Sequence, residues 1–181
     1  MDATDARTLL LISSALLALD ASAGPAPTDG DDANVSFVAP AGLVPLDRKF
    51  VFGAYSPSGG FELWVSDGKT AGTQQLNDIR AGFRGSYPVF LTRLNDQVLF
   101  AAVRGAAGIE LWRTDGTATG TGRVKDIHQG GESSMPTALT HVGNAIYFIA
   151  NDGVHGFELW KSSGTAADTT LVADIAPGAT G

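Results

Sequence analysis

Cysteine is absent from the 181 residues. That excludes disulfides, thiolate zinc sites and cysteine nucleophiles together. It assigns no reducing compartment, because a core of this size does without disulfides. Basic residues are scarce as well: 12 Lys and Arg face 19 Asp and Glu, for a formal charge of −7. Residues 1–23 carry −2 of it, through Asp2, Asp5 and Asp20 against Arg7, which leaves −5 for the remainder. No basic stripe exists, so a phosphate backbone finds no electrostatic footprint and nucleic acid is not expected as a partner. Gly-x-Ser-x-Gly elbows, HExxH pairs and phosphate loops are missing too. Helical periodicity does not appear beyond the N-terminal stretch.

That stretch carries an apolar run from Leu9 to Leu19, after Arg7 and before Ala21-Ser22-Ala23. A short apolar run with a small-x-small site reads as a signal peptide over residues 1–23, although Asp2 and Asp5 are unusual in its leading part. The run is too short to cross a bilayer core of about 30 Å as a helix, so no transmembrane segment is expected. With no cysteine behind it, lipid anchoring is not expected either. Residues 24–34 are turn-rich and acidic, a linker. The expected location is secreted, periplasmic or cell-surface.

From about Pro40 onward the chain repeats every 48 residues. Glu62-Leu63-Trp64 returns as Glu110-Leu111-Trp112 and Glu158-Leu159-Trp160, and Asp78-Ile79 as Asp126-Ile127 and Asp174-Ile175. Pro40 returns as Pro88 and Pro136. A fixed period of this size marks one supersecondary unit repeated, each copy burying its apolar face against a neighbour. The repeat domain spans 35–181, with units at about 40–87, 88–135 and 136–181, the last one incomplete.

Each unit holds four strand signals. In the second they are Phe90–Leu94, Gln97–Val103, Ile109–Arg113 and Thr121–Ile127. Asn95-Asp96 ends the first, and Asp115-Gly116 turns the chain toward the fourth, where Gly supplies the positive φ that such turns demand. Asp67-Gly68 and Ser163-Gly164 take the same place. The second strand is apolar on both faces (Val98-Leu99-Phe100), as in a sheet covered on both sides. Four-stranded antiparallel sheets each stacked between two like sheets are the blades of a β-propeller. The expected fold is therefore all-β: three tandem blade-like repeats forming a partial or open β-propeller. Along the third strand, Leu63 and Val65 face one way and Glu62 and Trp64 the other. Trp64, Trp112 and Trp160 are expected to wedge between neighbouring blades, burying about 150–250 Å² each. Glu62, Glu110 and Glu158 are expected to accept hydrogen bonds from the next unit.

The pattern E-L-W-x-x-D-G-T-x-x-G-T followed by D-I resembles the ELWxxDGT tandem-repeat family of exported bacterial proteins. The second unit matches throughout, at Glu110, Leu111, Trp112, Asp115, Gly116, Thr117, Gly120 and Thr121. The first unit departs at Lys69, and the third at Ser163 and Asp168. The resemblance covers residues from about 36 onward. It implies a propeller-like array at the outer surface or beyond, and it supplies no catalytic residue.

Residues repeated in every unit are read as structural: Glu62, Trp64, Gly68 and Asp78, Glu110, Trp112, Gly116 and Asp126, and Glu158, Trp160, Gly164 and Asp174. The aspartates at the fourth-strand ends are expected to cap loops through backbone N–H groups. Asp115 and Asp152 are candidates for structural calcium, since carboxylates in turns are its ligand type; no other cofactor is expected. His128, His141 and His155 fall at three different repeat positions and form no ligand set. Unit-specific polar residues that an enzyme would need are Arg80, Arg84, Tyr87, Arg104 and Glu132. Ser66-Asp67-Gly68 lacks the Ser-x-Asp-x-Gly-x-x-Trp spacing of sialidase turns. The expected function is a non-enzymatic module for protein or glycan contact at the cell surface. The alternative is a fragment of a propeller enzyme, of hydrolase type, with its catalytic residues in other blades. Three units leave two open faces, so either a longer array or homo-oligomerisation through those faces is expected.

Overall fold

The computed structural model describes residues 41–178. The expected signal peptide, the linker, residues 35–40 and residues 179–181 lie outside the described residues. Among the described residues, twelve strands run in chain order. The first sheet holds β1 (Ala41–Leu46), β2 (Lys49–Ser56), β3 (Gly60–Ser66) and β4 (Gln74–Gln75). The second holds β5 (Val89–Leu94), β6 (Gln97–Val103), β7 (Ile109–Thr114) and β8 (Gly122–Lys125). The third holds β9 (Thr137–Val142), β10 (Ala145–Asn151), β11 (Phe157–Ser162) and β12 (Thr170–Ala173). Every sheet is antiparallel and ordered as in the sequence, so each 48-residue unit is one four-stranded meander. Helical structure among the described residues is confined to two short 3-10 turns at 70–72 and 105–107.

The hairpins β1–β2 and β5–β6 turn on Asp47-Arg48 and Asn95-Asp96, with Asp47 and Asn95 at positive φ. Both residue types tolerate that region because their short side chains bond locally. Each first strand is bulged against the second, between Ala41 and Val44 in β1 and between Val89 and Thr92 in β5. Such a bulge bends the strand and raises its twist.

The sheets pack face against face. Val51, Leu63, Val65, Leu76 and Ile79 of the first unit form one core with Val98, Phe100, Ala102 and Trp112 of the second. Leu99, Leu111, Val124 and Ile127 form another with Ile146, Phe148, Ala150 and Trp160 of the third. The middle sheet is thus sandwiched. After Gln97, every residue of β6 is buried, whereas β10 alternates buried with half-buried because one of its faces is covered. The uninterrupted apolar run reports two-sided cover for the middle unit only. Polar bridges tie the stack at its first strands: Arg93 Nη1 donates to the Pro45 carbonyl at 3.0 Å, and Thr92 Oγ1 to that of Leu139 at 3.2 Å. At the far ends of β6 and β10, the amides of Val103 and Asn151 donate to the carbonyls of Ser86 and Ser134.

Trp112 and Trp160 are the inter-sheet wedges, buried against the preceding sheet. Trp64, facing away from the second sheet, is half-buried. The Nε1–H groups of all three are buried without a hydrogen-bond partner. Each unmet indole donor costs about 1–3 kcal/mol, an expense offset by burial of the ring.

The fourth strands are shorter than the sequence indicated. β8 ends at Lys125 instead of Ile127, because the Ile127 amide leaves the ladder for the Glu110 carboxylate.

Candidate functional site

Glu62, Glu110 and Glu158 stand on the third strands, all but fully buried. In the second unit, Glu110 Oε2 accepts from the Ile127 amide at 3.1 Å and from Ser134 Oγ at 2.6 Å, while Oε1 accepts from the Ser134 amide at 3.0 Å. In the first, Glu62 accepts from the Arg80 amide at 3.0 Å and from Ser86 Oγ at 2.5 Å. In the third, Glu158 accepts from the amides of Ile175 and Ala176. The donors therefore belong to the closing loop of the same unit, which corrects the expectation that they come from the next one. The carboxylate closes its own unit. Burial pushes the pKa of Glu62 and of Glu110 above the usual glutamate range, and the bonds from Ser86 and Ser134 pull back only part of that shift.

This clamp also displaces the aspartates from their expected role. The loop amides go to the glutamates, and Asp78, Asp126 and Asp174 accept no backbone N–H among the described residues. Asp126 Oδ1 instead lies 3.0 Å from Arg123 Nη1 as an ion pair, close but not aligned as a hydrogen bond.

The Asp-Gly segments open seven-residue loops rather than tight two-residue hairpins. In the second unit, Asp115 Oδ1 accepts from the Thr117 amide at 2.9 Å and from its hydroxyl at 2.6 Å. Gly116, at φ 82°, donates to Thr114 Oγ1, and Thr114 bonds Thr121 across the loop at 2.7 Å. Ser66 with Thr73, and Ser162 with Thr169, repeat that hydroxyl pair. Gly164 faces the second sheet, where a Cβ would sit 2.3 Å from Gln97 Nε2; Gln97 donates there to the Ser163 carbonyl at 2.9 Å. Gly thus serves both the positive φ and the close approach of two sheets.

The departures of the third unit are reciprocal. A Cβ on Gly72 or Gly120 would lie 2.0 Å from a carboxylate oxygen of Asp67 or Asp115, so those loops require glycine. Where Ser163 replaces that aspartate the space is free, and Asp168 stands at the glycine position. Its Oδ2 accepts from Ser163 Oγ and Thr165 Oγ1, both at 2.7 Å. One carboxylate serves each loop, from one end or the other. These bonds hold the pKa values of Asp115 and Asp168 below the usual range. A thermodynamic cycle checks the exchange: Ser163→Asp alone is expected to destabilise by roughly 1–3 kcal/mol. Ser163→Asp combined with Asp168→Gly should restore most of it, and a coupling near zero in denaturant titrations would rule the exchange out.

The two calcium candidates are occupied by turn chemistry. Asp115 is bonded as above. Asp152 accepts from the amides of Val154 and His155, and its Oδ2 lies 2.7 Å from His155 Nδ1. Partial burial pushes Asp152 up, but the His155 bonds outweigh it and leave the net shift downward, while His155 is raised by the same pair. No group of three or more His, Asp or Glu side chains able to hold a metal is found among the described residues.

Of the unit-specific polar residues, Tyr87 stacks on Phe61 with centroids 5.9 Å apart, and the Arg80 amide serves Glu62. Arg104 lines a cleft of about 280 Å³ between the first and second sheets, together with Asn77, Asp78, Ile79, Trp112, Thr121, Gly122 and Arg123. The serine donors Ser86 and Ser134, two residues before Pro88 and Pro136, were legible as a 48-residue repeat but carry no motif of their own. Among the described residues, no helix is long and apolar enough to cross a membrane.

No family model, curated protein or solved structure matches the chain.

Proposed function

We propose that the chain is a non-enzymatic, exported repeat module that works by stacking its sheets against like sheets and presenting the connecting loops to protein or glycan. The observation that carries this reading is the contrast between equivalent positions. Ile79 and Ile127 are 6% and 5% exposed, whereas Ile175 is 70% exposed. Leu94 is fully buried and its counterpart Val142 is 56% exposed. Val172, the counterpart of Leu76 and Val124, is exposed as well. On the opposite face of the stack, Phe50 and Trp64 are only half-buried, while Val98 and Trp112 at the same repeat positions are covered.

The outer face of the third sheet is chemically the face that elsewhere receives a tryptophan wedge. The outer face of the first sheet carries such a wedge. A further sheet of the same kind satisfies both, in a longer array or in a head-to-tail association of copies, two of which give a six-sheet ring. The resemblance to the ELWxxDGT repeats supports a propeller-like arrangement and an outer-surface location, and the fixed recurrence of the polar residues favours scaffold over catalysis.

Light scattering of the chain after size exclusion is the direct test. A discrete dimer or higher closed species is expected, reduced to monomer by Ile175→Lys. A strictly monomeric wild type with a sharp melt would contradict the stacking requirement.

A further inference from the structure

The cleft between the first and second sheets has a repeat-related counterpart between the second and third, and the two differ in the cation they hold. In the counterpart, Lys125 fills the space: its ammonium donates to the Thr169 carbonyl at 2.8 Å and lies 5.9 Å from the centroid of the Trp160 ring. Forty-eight residues earlier the lysine is Asn77, and the residues equivalent to Thr169 and Trp160 are Thr121 and Trp112, all three lining the open cleft. Asparagine lacks the length and the charge, and its side chain makes no hydrogen bond to either. The junction of the first and second sheets thus lacks the ammonium that the next junction holds.

The remaining lining groups define what else a ligand needs. Asp78 adds a carboxylate, and Arg123 is neutralised by Asp126 at 3.0 Å. Arg104 stands where the filled copy has Asp152, and it is exposed and cationic. A bare alkylammonium would meet Arg104 as a like charge. One that carries a carboxylate at the far end of its chain turns Arg104 into a partner.

We infer that the cleft lined by Asn77, Asp78, Arg104, Trp112 and Thr121 binds a small zwitterionic ω-amino acid. Its ammonium replaces that of Lys125 over the Trp112 ring and at the Thr121 carbonyl, beside Asp78. Its carboxylate pairs with Arg104. Cation–π attraction, a charge-assisted hydrogen bond and a carboxylate–guanidinium pair are each modest, so binding is weak and depends on all three.

The test uses the full chain and three probes: 6-aminohexanoate, hexanoate of the same carbon count, and n-butylamine, the length of a lysine side chain. Binding is followed by shifts of the indole N–H resonances. 6-Aminohexanoate should perturb the Trp112 resonance and leave that of Trp160 in place. Arg104→Ala should weaken it roughly three- to fivefold, bringing it level with n-butylamine. Asn77→Lys, which restores the repeat, should abolish binding and raise the melting temperature by filling the cleft. The proposal is overturned if hexanoate binds as well as the zwitterion, if n-butylamine already matches it in the wild type, or if no probe shifts Trp112. Binding that survives Asn77→Lys overturns it equally, since a folded variant of that kind leaves no room.

Discussion

Glu110→Ala is expected to cost roughly 3–5 kcal/mol of unfolding free energy. The carboxylate accepts three hydrogen bonds from buried donors, the Ile127 and Ser134 amides and the Ser134 hydroxyl. Leaving a buried donor without its partner costs about 1–3 kcal/mol. The raised pKa of Glu110 shows that desolvation of the charge outweighs what these bonds return, so the loss on truncation comes from the unpaired donors and the emptied space. Truncation strands the donors and empties space behind β7. Glu110→Gln should cost less, about 1–3 kcal/mol, because one amide-facing oxygen becomes an NH₂ group confronting an N–H.

The same residue sets a pH dependence whose sign is fixed. With its folded pKa above the unfolded one, the folded chain binds more protons in the interval between them. The contribution of Glu110, and of Glu62, is therefore fully present below the ordinary glutamate range and is lost as pH rises through the folded value. His155, also raised, acts in the same direction around its own higher range. Asp115, Asp152 and Asp168 are lowered and lose their contribution only as pH falls through values below the ordinary aspartate range. Denaturant midpoints measured upward from mildly acidic pH should decline in the wild type, and less steeply in Glu110→Gln. Equal slopes would mean that Glu110 carries no such shift.

The second large effect separates residues that the sequence cannot tell apart. Trp112→Ala should destabilise by about 3–5 kcal/mol, since the ring fills the junction of the first and second sheets. Trp64→Ala, at the same repeat position on a half-covered face, should cost about 1 kcal/mol in the dilute monomer. It should become costly only where a further sheet covers that face. Equal losses in dilute chain would show that Trp64 is already covered there.

The strand pattern was legible because hydrophobic alternation and turn residues are local. Gln97–Val103 agrees with β6 at both ends. The wedge role of Trp112 and Trp160 followed from its recurrence in every unit. The partner of Glu110 was not legible. Its donors lie 17 and 24 residues away, and two of the three are backbone amides, which any residue type supplies equally. The reciprocal exchange at Ser163 and Asp168 was visible as two departures from the pattern. That they compensate one another depends on a carboxylate reaching the same loop interior from either end, which spacing does not encode. The cleft escaped for a related reason. Asn77 is an ordinary residue until the position of Lys125 in the next interface shows what it leaves out.

Because each glutamate closes the loop of its own unit, a unit is self-contained up to its two faces. Joining one unit to the next needs a complementary face and one amide–carbonyl link such as Val103 to Ser86, to which copy-specific bonds such as Arg93 to Pro45 are added. Genetic duplication or deletion of 48 codons keeps the glutamate clamp and the backbone link of each retained unit. Such a chain can change its length in whole steps by recombination between its own repeats. Sequence divergence between copies, as at Asn77 and Lys125, is then what gives individual junctions separate identities.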